Sequence, residues 1–147
     1  MQSGKVLTLH QVLCTMNVTQ AVREDRGNTA CGAKPPGAYG GLNVTKRKIG
    51  ILGAGTWGMA LARMLCVSGH DVLVWAAIEQ EIDNLSATRI HPNLPGMKIP
   101  AELQFTKNIE DVCKDKDIVL FAVPSVFVRA TAAKARPYVQ EGQIIVD

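Results

Sequence analysis

Three glycines with the spacing G-x-G-x-x-G constrain the fold of this chain more than any other feature of its sequence. Gly53, Gly55 and Gly58 follow a short apolar run at residues 49–52, which predicts a buried strand. A helical pattern comes next, with apolar residues three and four positions apart, and residues 71–75 give a second apolar strand. A strand, a glycine turn, a helix and a second strand in this order are typical of a dinucleotide-binding βαβ unit.

Each glycine is expected to have a different physical role in that unit. Gly53 permits the tight turn out of the strand, and Gly55 lets the backbone approach a pyrophosphate because no Cβ intervenes. Gly58 lets the helix pack closely on the strands. The free N–H groups of the first helical turn, with a partial charge of roughly +0.5 from the helix dipole, then attract the anion. The alternative is a tight βα turn without any ligand.

The residues after this unit continue the alternation of strands and helices. Gly69 is expected to end the first helix, and Asn108 and Ser125 to cap two later helices. Strands are predicted at 103–106, 117–123 and 143–146, helices at 79–88, 109–114 and 126–136, and a proline-rich loop at 89–100.

This alternation predicts an α/β fold: an open, doubly wound, mostly parallel sheet with helices on both faces, known as the Rossmann architecture. The strand at 117–123 is a continuous apolar run, as expected of a central parallel strand. In such a sheet it lies beside the first strand. Val123 and Pro124 at its end therefore border the same crevice as the glycine turn.

Composition excludes several classes of function. The chain has 147 residues, 47% of them apolar, and a net charge of +3, which is too small to indicate a nucleic-acid partner. No apolar stretch approaches the roughly 20 residues that span a bilayer, so no membrane is expected as a partner. The four cysteines lack a C-x-x-C spacing and the three histidines are scattered, which predicts no metal site and favours a reducing compartment, the cytoplasm.

Residues 1–45 differ from the rest and are predicted to be a disordered or non-native extension. Their apolar run is broken by His10 and Gln11, and residues 28–43 are rich in Gly, Asn and Pro. One hypothesis is that natural translation starts at Val44 from a GUG codon, which the intact mass of the native protein would test. Residues 46–147 are predicted to be a dinucleotide-binding domain that is incomplete at its C-terminal end.

Three stretches carry a more specific resemblance: G-A-G-T-W-G-M-A-L-A, H-P-N-L-P-G and F-A-V-P-S-V-F. With them, residues 46–147 resemble the cofactor-binding domain of NAD(P)-dependent glycerol-3-phosphate dehydrogenase. The resemblance implies an oxidoreductase of glycerol-3-phosphate metabolism and phospholipid biosynthesis. It would transfer a hydride between a nicotinamide cofactor and C2 of sn-glycerol 3-phosphate, giving dihydroxyacetone phosphate. It leaves open whether the full-length enzyme is a homodimer.

The resemblance also implies which residues touch the cofactor. Trp57 and Phe127 have an alternative as plain core residues, each on the inner face of its helix. The expected cofactor-binding residues are Gly53, Gly55, Thr56, Trp57, Gly58, Ala77, Val123, Pro124 and Phe127.

The cofactor is expected to be NAD or NADP, with NAD slightly favoured. Many family members carry an Arg, His or aromatic residue where this chain has Ala77, so no guanidinium is available there for an NADP 2′-phosphate. Glu79 lies about where NAD enzymes place a ribose-binding acid, although the helical pattern could instead turn it towards solvent.

The family's two functional lysines and its helical substrate domain would lie downstream of Asp147. No catalytic residue is therefore expected within the chain, which should bind cofactor without turnover. Two alternatives stay open. One is the equivalent domain of another Rossmann dehydrogenase, of the 3-hydroxyacyl-CoA or ketopantoate-reductase type. The other is a stand-alone dinucleotide-binding module that senses redox state.

Overall fold

The computed structural model describes residues 6–7 and 45–147, and these form one parallel sheet with helices packed against it. The strands occur in the spatial order β1-β6-β5-β2-β3-β4, and every neighbouring pair is parallel. Their bounds are β1 Val6–Leu7, β2 Lys48–Leu52, β3 Asp71–Trp75, β4 Gln104–Thr106, β5 Ile118–Phe121 and β6 Ile144–Val146. The predicted pairing of the first strand of the glycine unit with the later apolar strand is confirmed, because β2 pairs with β5 from Ile49↔Ile118 to Leu52↔Phe121.

Four α-helices connect the strands of residues 45–147, and their bounds follow the predicted ones closely. They are α1 Thr56–Val67, α2 Glu79–Thr88, α3 Ile109–Cys113 and α4 Ser125–Ala135, the last continued by a 3-10 turn at Arg136–Tyr138. Asn108 caps α3 as predicted, since its side-chain oxygen accepts the N–H of Glu110 at 3.0 Å. Gly69 follows the end of α1 with φ +92°, a conformation that side chains rarely adopt.

Two predictions about the β5–α4 region are wrong. Ser125 does not cap α4, because Pro124 with φ −55° and ψ 144° occupies the cap position and Ser125 is already helical. No side-chain hydrogen bond from the cap position closes the first turn of α4. The strand is also shorter than the apolar run suggested, ending at Phe121, because the chain bends at Val123 to start α4.

The core divides into two apolar clusters, one on each face of the sheet. Side chains alternate between the faces along a strand. Ile49 and Ile51 of β2 therefore pack with α1 and α2, whereas Leu52 packs with α3 and α4. Helices cover both faces, which confirms the predicted doubly wound architecture. Each helix in the described part of the chain falls short of the length and hydropathy that a bilayer-spanning helix requires.

Gly50 is the position where this packing is tightest. A Cβ built on Gly50 would overlap the carbonyl oxygen of Val112, so α3 lies against β2 at a distance that only glycine permits. Nothing in the local sequence distinguishes this glycine, because it lies inside a strand and outside the glycine motif.

Most of the predicted N-terminal extension, residues 1–5 and 8–44, lies outside the described residues. The exceptions are Thr45 and β1, whose Val6 and Leu7 pair in parallel with Ile145 and Val146 of β6. The division of the chain into an extension and a domain at residue 45 stays a prediction.

Candidate functional site

A crevice of about 420 Å³ opens at the carboxyl ends of β2, β5 and β6. It forms because the chain leaves β2 towards α1 on one face of the sheet and leaves β5 towards α4 on the other. The two strand ends are held together by a hydrogen bond of 2.8 Å from the Ala122 N–H to the Leu52 carbonyl. The residues that line the crevice are Gly55, Thr56, Trp57, Leu61, Leu120, Phe121, Ala122, Val123, Pro124, Val146 and Asp147.

The glycine turn is packed too tightly for side chains at two of its three glycines. Gly53 has φ +124°, and a Cβ there would overlap the Ala122 carbonyl. A Cβ on Gly58 would overlap the Gly53 carbonyl, because α1 begins directly against the turn. The packing of the protein itself therefore requires glycine at these two positions.

Gly55 differs from its neighbours in this respect. Its φ is −69°, and apart from its two chain neighbours no described residue has an atom within 4 Å of where its Cβ would be. Neither strain nor crowding inside the protein requires a glycine at this position. The open space lies at the crevice, where the backbone of Gly55 is exposed. Such space fits a group that approaches the backbone closely from outside.

The start of α1 provides hydrogen-bond donors at the same place. Thr56, Trp57 and Gly58 are the first three helical residues, and N–H groups at these positions have no acceptor within a helix. The first turn carries no acidic residue, so the positive end of the helix dipole is not neutralised locally. Open space, free N–H groups and a helix dipole together favour a phosphate-bearing ligand.

The structure brings most of the expected cofactor-binding residues to this crevice. Thr56, Trp57, Val123 and Pro124 line it together with Gly55. The core alternative for Trp57 and Phe127 is wrong, because their side chains are 71% and 59% exposed. Trp57 lies at the start of α1, before the buried residues of that helix, and Phe127 lies in the exposed first turn of α4. Phe127 and Ala77 lie outside the residues that line the crevice. The contact of each expected residue with a cofactor stays a prediction.

Charged residues lie close to the end of β3, but position 77 has no cation. Ala77 and Ile78 are exposed, and Glu79 is the first residue of α2. The Lys107 Nζ lies 2.8 Å from Asp83 and 3.8 Å from Glu79. The hydrogen bond to Asp83 raises the pKa of Lys107, so this lysine is a charged partner of two carboxylates on α2.

The two histidines in residues 45–147 are both buried, and neither is free to donate a proton in the crevice. His91 is 5% exposed, and its ring nitrogens contact the Ala54 carbonyl and the Asn93 N–H, each at 3.2 Å. His70 is 4% exposed and precedes β3, so it lies at the opposite edge of the sheet. The contact of His91 with the glycine turn has no signal in the sequence, because nothing in the proline-rich loop indicates how it folds.

The thiols of the described residues are also unsuited to chemistry. Cys113 is buried, whereas Cys66 is only partly buried. Burial raises the pKa of both thiols, so they stay protonated near neutral pH. No group of three or more His, Cys, Asp or Glu side chains within residues 45–147 could hold a metal ion. Cys14 and Cys31 lie outside the described residues.

His70 is expected to make the fold less stable in mild acid. Burial, and secondarily Arg47, lowers its pKa below the ordinary value of 6.5, and Asp71 opposes this only partly. As the pH falls through 6.5, the unfolded chain gains a proton that the folded chain resists. The free energy of unfolding should therefore decrease there and level off below the folded-state pKa. Urea denaturation between about pH 7.5 and about pH 5.5 measures this.

A His70→Gln variant is the matched control for that experiment, because glutamine does not titrate. The loss of stability with falling pH should be smaller in this variant than in the unmodified chain. Equal pH dependence in the two proteins would show that other groups cause the effect.

Comparison with known proteins agrees with this geometry. The family model described as "NAD-dependent glycerol-3-phosphate dehydrogenase N-terminus" matches residues 48–147. Glycerol-3-phosphate dehydrogenase (NAD(P)+) 2 of Lactobacillus delbrueckii subsp. bulgaricus is 66% identical over 100 residues, covering 68% of this chain and 30% of that protein. The corresponding enzyme of Agathobacter rectalis is 49% identical over 100 residues, covering 67% of this chain and 30% of that protein.

Solved structures give the same result. The crystal structure of glycerol-3-phosphate dehydrogenase from Coxiella burnetii superposes with a TM-score of 0.64 at 28% identity, covering 68% of this chain and 31% of that one. A ketopantoate reductase from Ralstonia eutropha superposes with a TM-score of 0.55 at 21% identity, covering 68% and 33%, and this likeness shows the fold alone. The chain spans about 30% of the length of the curated relatives it matches. By its glycine turn, its crevice and these matches, the chain belongs to the family of NAD-dependent glycerol-3-phosphate dehydrogenase N-terminal domains.

Proposed function

We propose that this chain is the cofactor-binding part of an oxidoreductase that interconverts sn-glycerol 3-phosphate and dihydroxyacetone phosphate. The observation that carries the proposal is the open position at Gly55, next to the free N–H groups of α1. The names of the relatives, which are NAD(P)+-dependent glycerol-3-phosphate dehydrogenases, supply the reaction.

Each part of the crevice has a role in this proposal. The backbone N–H groups at Gly55, Thr56 and Trp57 would bind the pyrophosphate of the cofactor, because they are donors at the positive end of a helix. Trp57, Val123 and Pro124 give the crevice apolar walls that exclude water from the remainder of the ligand. Once bound, the reduced nicotinamide supplies the hydride for the ketone. The chain's own contribution is binding and orientation.

The proposed cofactor is NAD or NADP, with NAD slightly favoured. The 2′-phosphate of NADP needs a cation near the end of β3, but Ala77 and Ile78 are uncharged. Lys107 is the nearby cation that the structure describes, and it already pairs with Asp83 and Glu79. A 2′-phosphate would have to compete with these two carboxylates for the ammonium group of Lys107. Titrating the chain with NADH and with NADPH tests the preference, and clearly tighter NADPH binding would contradict it.

The proposal includes an enzyme of the cytoplasm with a place in glycerol-3-phosphate metabolism and phospholipid biosynthesis. Free thiols at Cys66 and Cys113 support a reducing compartment. Nucleic acid and membranes have no role in it, and a homodimer of the full-length enzyme stays open. The alternative of a redox-sensing module without catalysis is distinguished by extending the chain to the length of its relatives, because a sensing module would not gain turnover.

Gly55→Val is expected to abolish tight cofactor binding without unfolding the protein. The valine side chain would fill the space where the pyrophosphate approaches. Losing two charge-assisted hydrogen bonds at about 1.5–3 kcal/mol each weakens binding roughly a hundredfold or more. The loss of stability should stay near 1 kcal/mol, the usual cost of a poorer helix cap. Fluorescence titration with NADH gives the affinity and thermal denaturation gives the stability.

Ala87→Val is the matched control for this experiment, because Ala87 is exposed near the far end of α2. It adds two methyl groups and ends in the same valine side chain, away from the crevice, and should leave the NADH affinity unchanged. Equal NADH affinities of Gly55→Val and the unmodified chain would show that Gly55 is part of the turn but does not contact a ligand.

A further inference from the structure

His91 holds the backbone of the glycine turn from the buried side. It lies in the loop between α2 and β4, far from the glycines in sequence, and its Nε2 is 3.2 Å from the carbonyl oxygen of Ala54. Ala54 is the residue between Gly53 and Gly55. His91 is thus a polar residue, 95% buried, whose contact is with the backbone of the proposed binding turn.

The hydrogen bonds of His91 define which ring nitrogen carries the proton. The backbone N–H of Asn93 can only donate, so the Nδ1 at 3.2 Å must be the acceptor. In a neutral imidazole the proton is then on Nε2, which donates it to the Ala54 carbonyl. Both ring nitrogens therefore have a hydrogen-bond partner, and a single orientation of the ring makes both hydrogen bonds.

This hydrogen bond also fixes the direction of a neighbouring donor. The Ala54 carbonyl and the Gly55 N–H belong to one planar trans peptide, in which the two groups point in opposite directions. Because the carbonyl points towards the buried His91, the N–H of Gly55 points away from it, towards the exposed side of the turn where the crevice lies. We propose that His91 is a positioning residue for the cofactor, which orients the Gly55 N–H towards the pyrophosphate; this inference rests on the proposed cofactor binding.

The loop that carries His91 is built to hold it in place. Arg89, with φ +54°, starts the loop, and its guanidinium donates to the carbonyls of Pro100 at 3.1 Å and Leu103 at 2.7 Å. The Arg63 side chain on α1 donates to the Lys98 carbonyl at 3.0 Å, which ties the loop to the helix that follows the glycine turn. Ile99 packs in the same apolar cluster as Ala54. The loop and the turn therefore form one packed unit.

Two amide substitutions distinguish a role of His91 in orienting the turn from a role in packing alone. In His91→Gln the amide nitrogen can reach the Nε2 position and donate to Ala54. In His91→Asn the shorter amide reaches only the Nδ1 position, so it can accept from Asn93 and leaves the Ala54 carbonyl without its donor. We expect His91→Gln to bind ADP-ribose within about twofold of the unmodified chain and His91→Asn to bind on the order of tenfold more weakly.

The measurements are calorimetric titration of the 147-residue chain with ADP-ribose, and the amide proton shift of Gly55 by NMR. A purely structural role would lower thermal stability in both variants and leave the Gly55 signal of the folded protein unchanged. Orientation by His91 predicts a displaced Gly55 signal in His91→Asn alone.

Equal affinity of both variants and the unmodified chain would refute the inference and leave the proposed function intact. An unmodified chain that bound no ADP-ribose would refute the proposed function and the inference with it. If His91→Asn does not fold, His91→Gln decides: retained affinity supports the role of the donor, and a loss of about tenfold overturns it.

Discussion

Gly50→Ala is expected to destabilise the domain by about 3 kcal/mol or more, a large effect for a single methyl group. The new Cβ would overlap the carbonyl oxygen of Val112, which belongs to the backbone of α3 and cannot rotate away. To make room, α3 would have to move off β2, and Val112 and Cys113 would lose their packing in the cluster around Leu52. Domains of this size are stable by only about 5–15 kcal/mol, so this loss is a large fraction of the total.

The measurement is urea denaturation followed by circular dichroism, with Gly55→Ala as the matched control. The control makes the same chemical change where no described atom lies within 4 Å, and should cost at most about 1 kcal/mol through the weaker helix cap. A Gly50→Ala protein with an unchanged denaturation midpoint would show that α3 does not pack on β2 as closely as the structure has it.

The second large effect concerns catalysis: the 147-residue chain should bind NADH and yet show no turnover of dihydroxyacetone phosphate. Reducing a ketone requires a proton donor at the carbonyl oxygen and a cation near the substrate phosphate. His91 uses its Nε2–H to bind the Ala54 carbonyl, and His70 lies at the other edge of the sheet. Because neither histidine of residues 45–147 is available as the acid, the rate should be lower by on the order of a hundred- to ten-thousand-fold, and a lack of substrate positioning should lower it further.

The assay is the decrease of NADH absorbance with dihydroxyacetone phosphate, and a full-length glycerol-3-phosphate dehydrogenase of the family is the positive control. NADH binding is measured on the same preparation, so that an inactive chain can be told from an unfolded one. Turnover by the short chain above the uncatalysed rate would contradict the prediction and would indicate that a group within the chain acts as the acid.

Local sequence patterns predicted those features of the fold that depend on local chemistry. The bounds of α2 and the cap at Asn108 follow from helical periodicity and from side-chain acceptors close in sequence. The position of the crevice follows from strand order, which alternation and parallel pairing determine together. Ser125 was assigned wrongly because proline satisfies the dihedral angles of a cap position without any side-chain hydrogen bond.

Features that depend on contacts between distant segments could not be predicted in the same way. Gly50 looks like an ordinary strand glycine until the distance to α3 is known. Trp57 has the spacing of a core residue on α1, yet it lies in the first turn at the crevice and stays exposed. The contact between His91 and Ala54 depends on the path of a loop with three prolines, for which sequence periodicity gives no information.

The pairing of β2 with β5 has a consequence for how the protein is made. Lys48 and Asp117, which join the beginnings of these strands, are 69 residues apart in the chain. Such distant pairing is slow to form because a long loop must close first. During synthesis, the glycine turn leaves the ribosome long before Val123 and Pro124, so one wall of the crevice is absent while the other is complete. A dinucleotide can then bind only after β5 has emerged and paired with β2. In a pulse-labelled translation reaction, the time at which the cofactor begins to protect the new chain would mark the moment when the sheet closes.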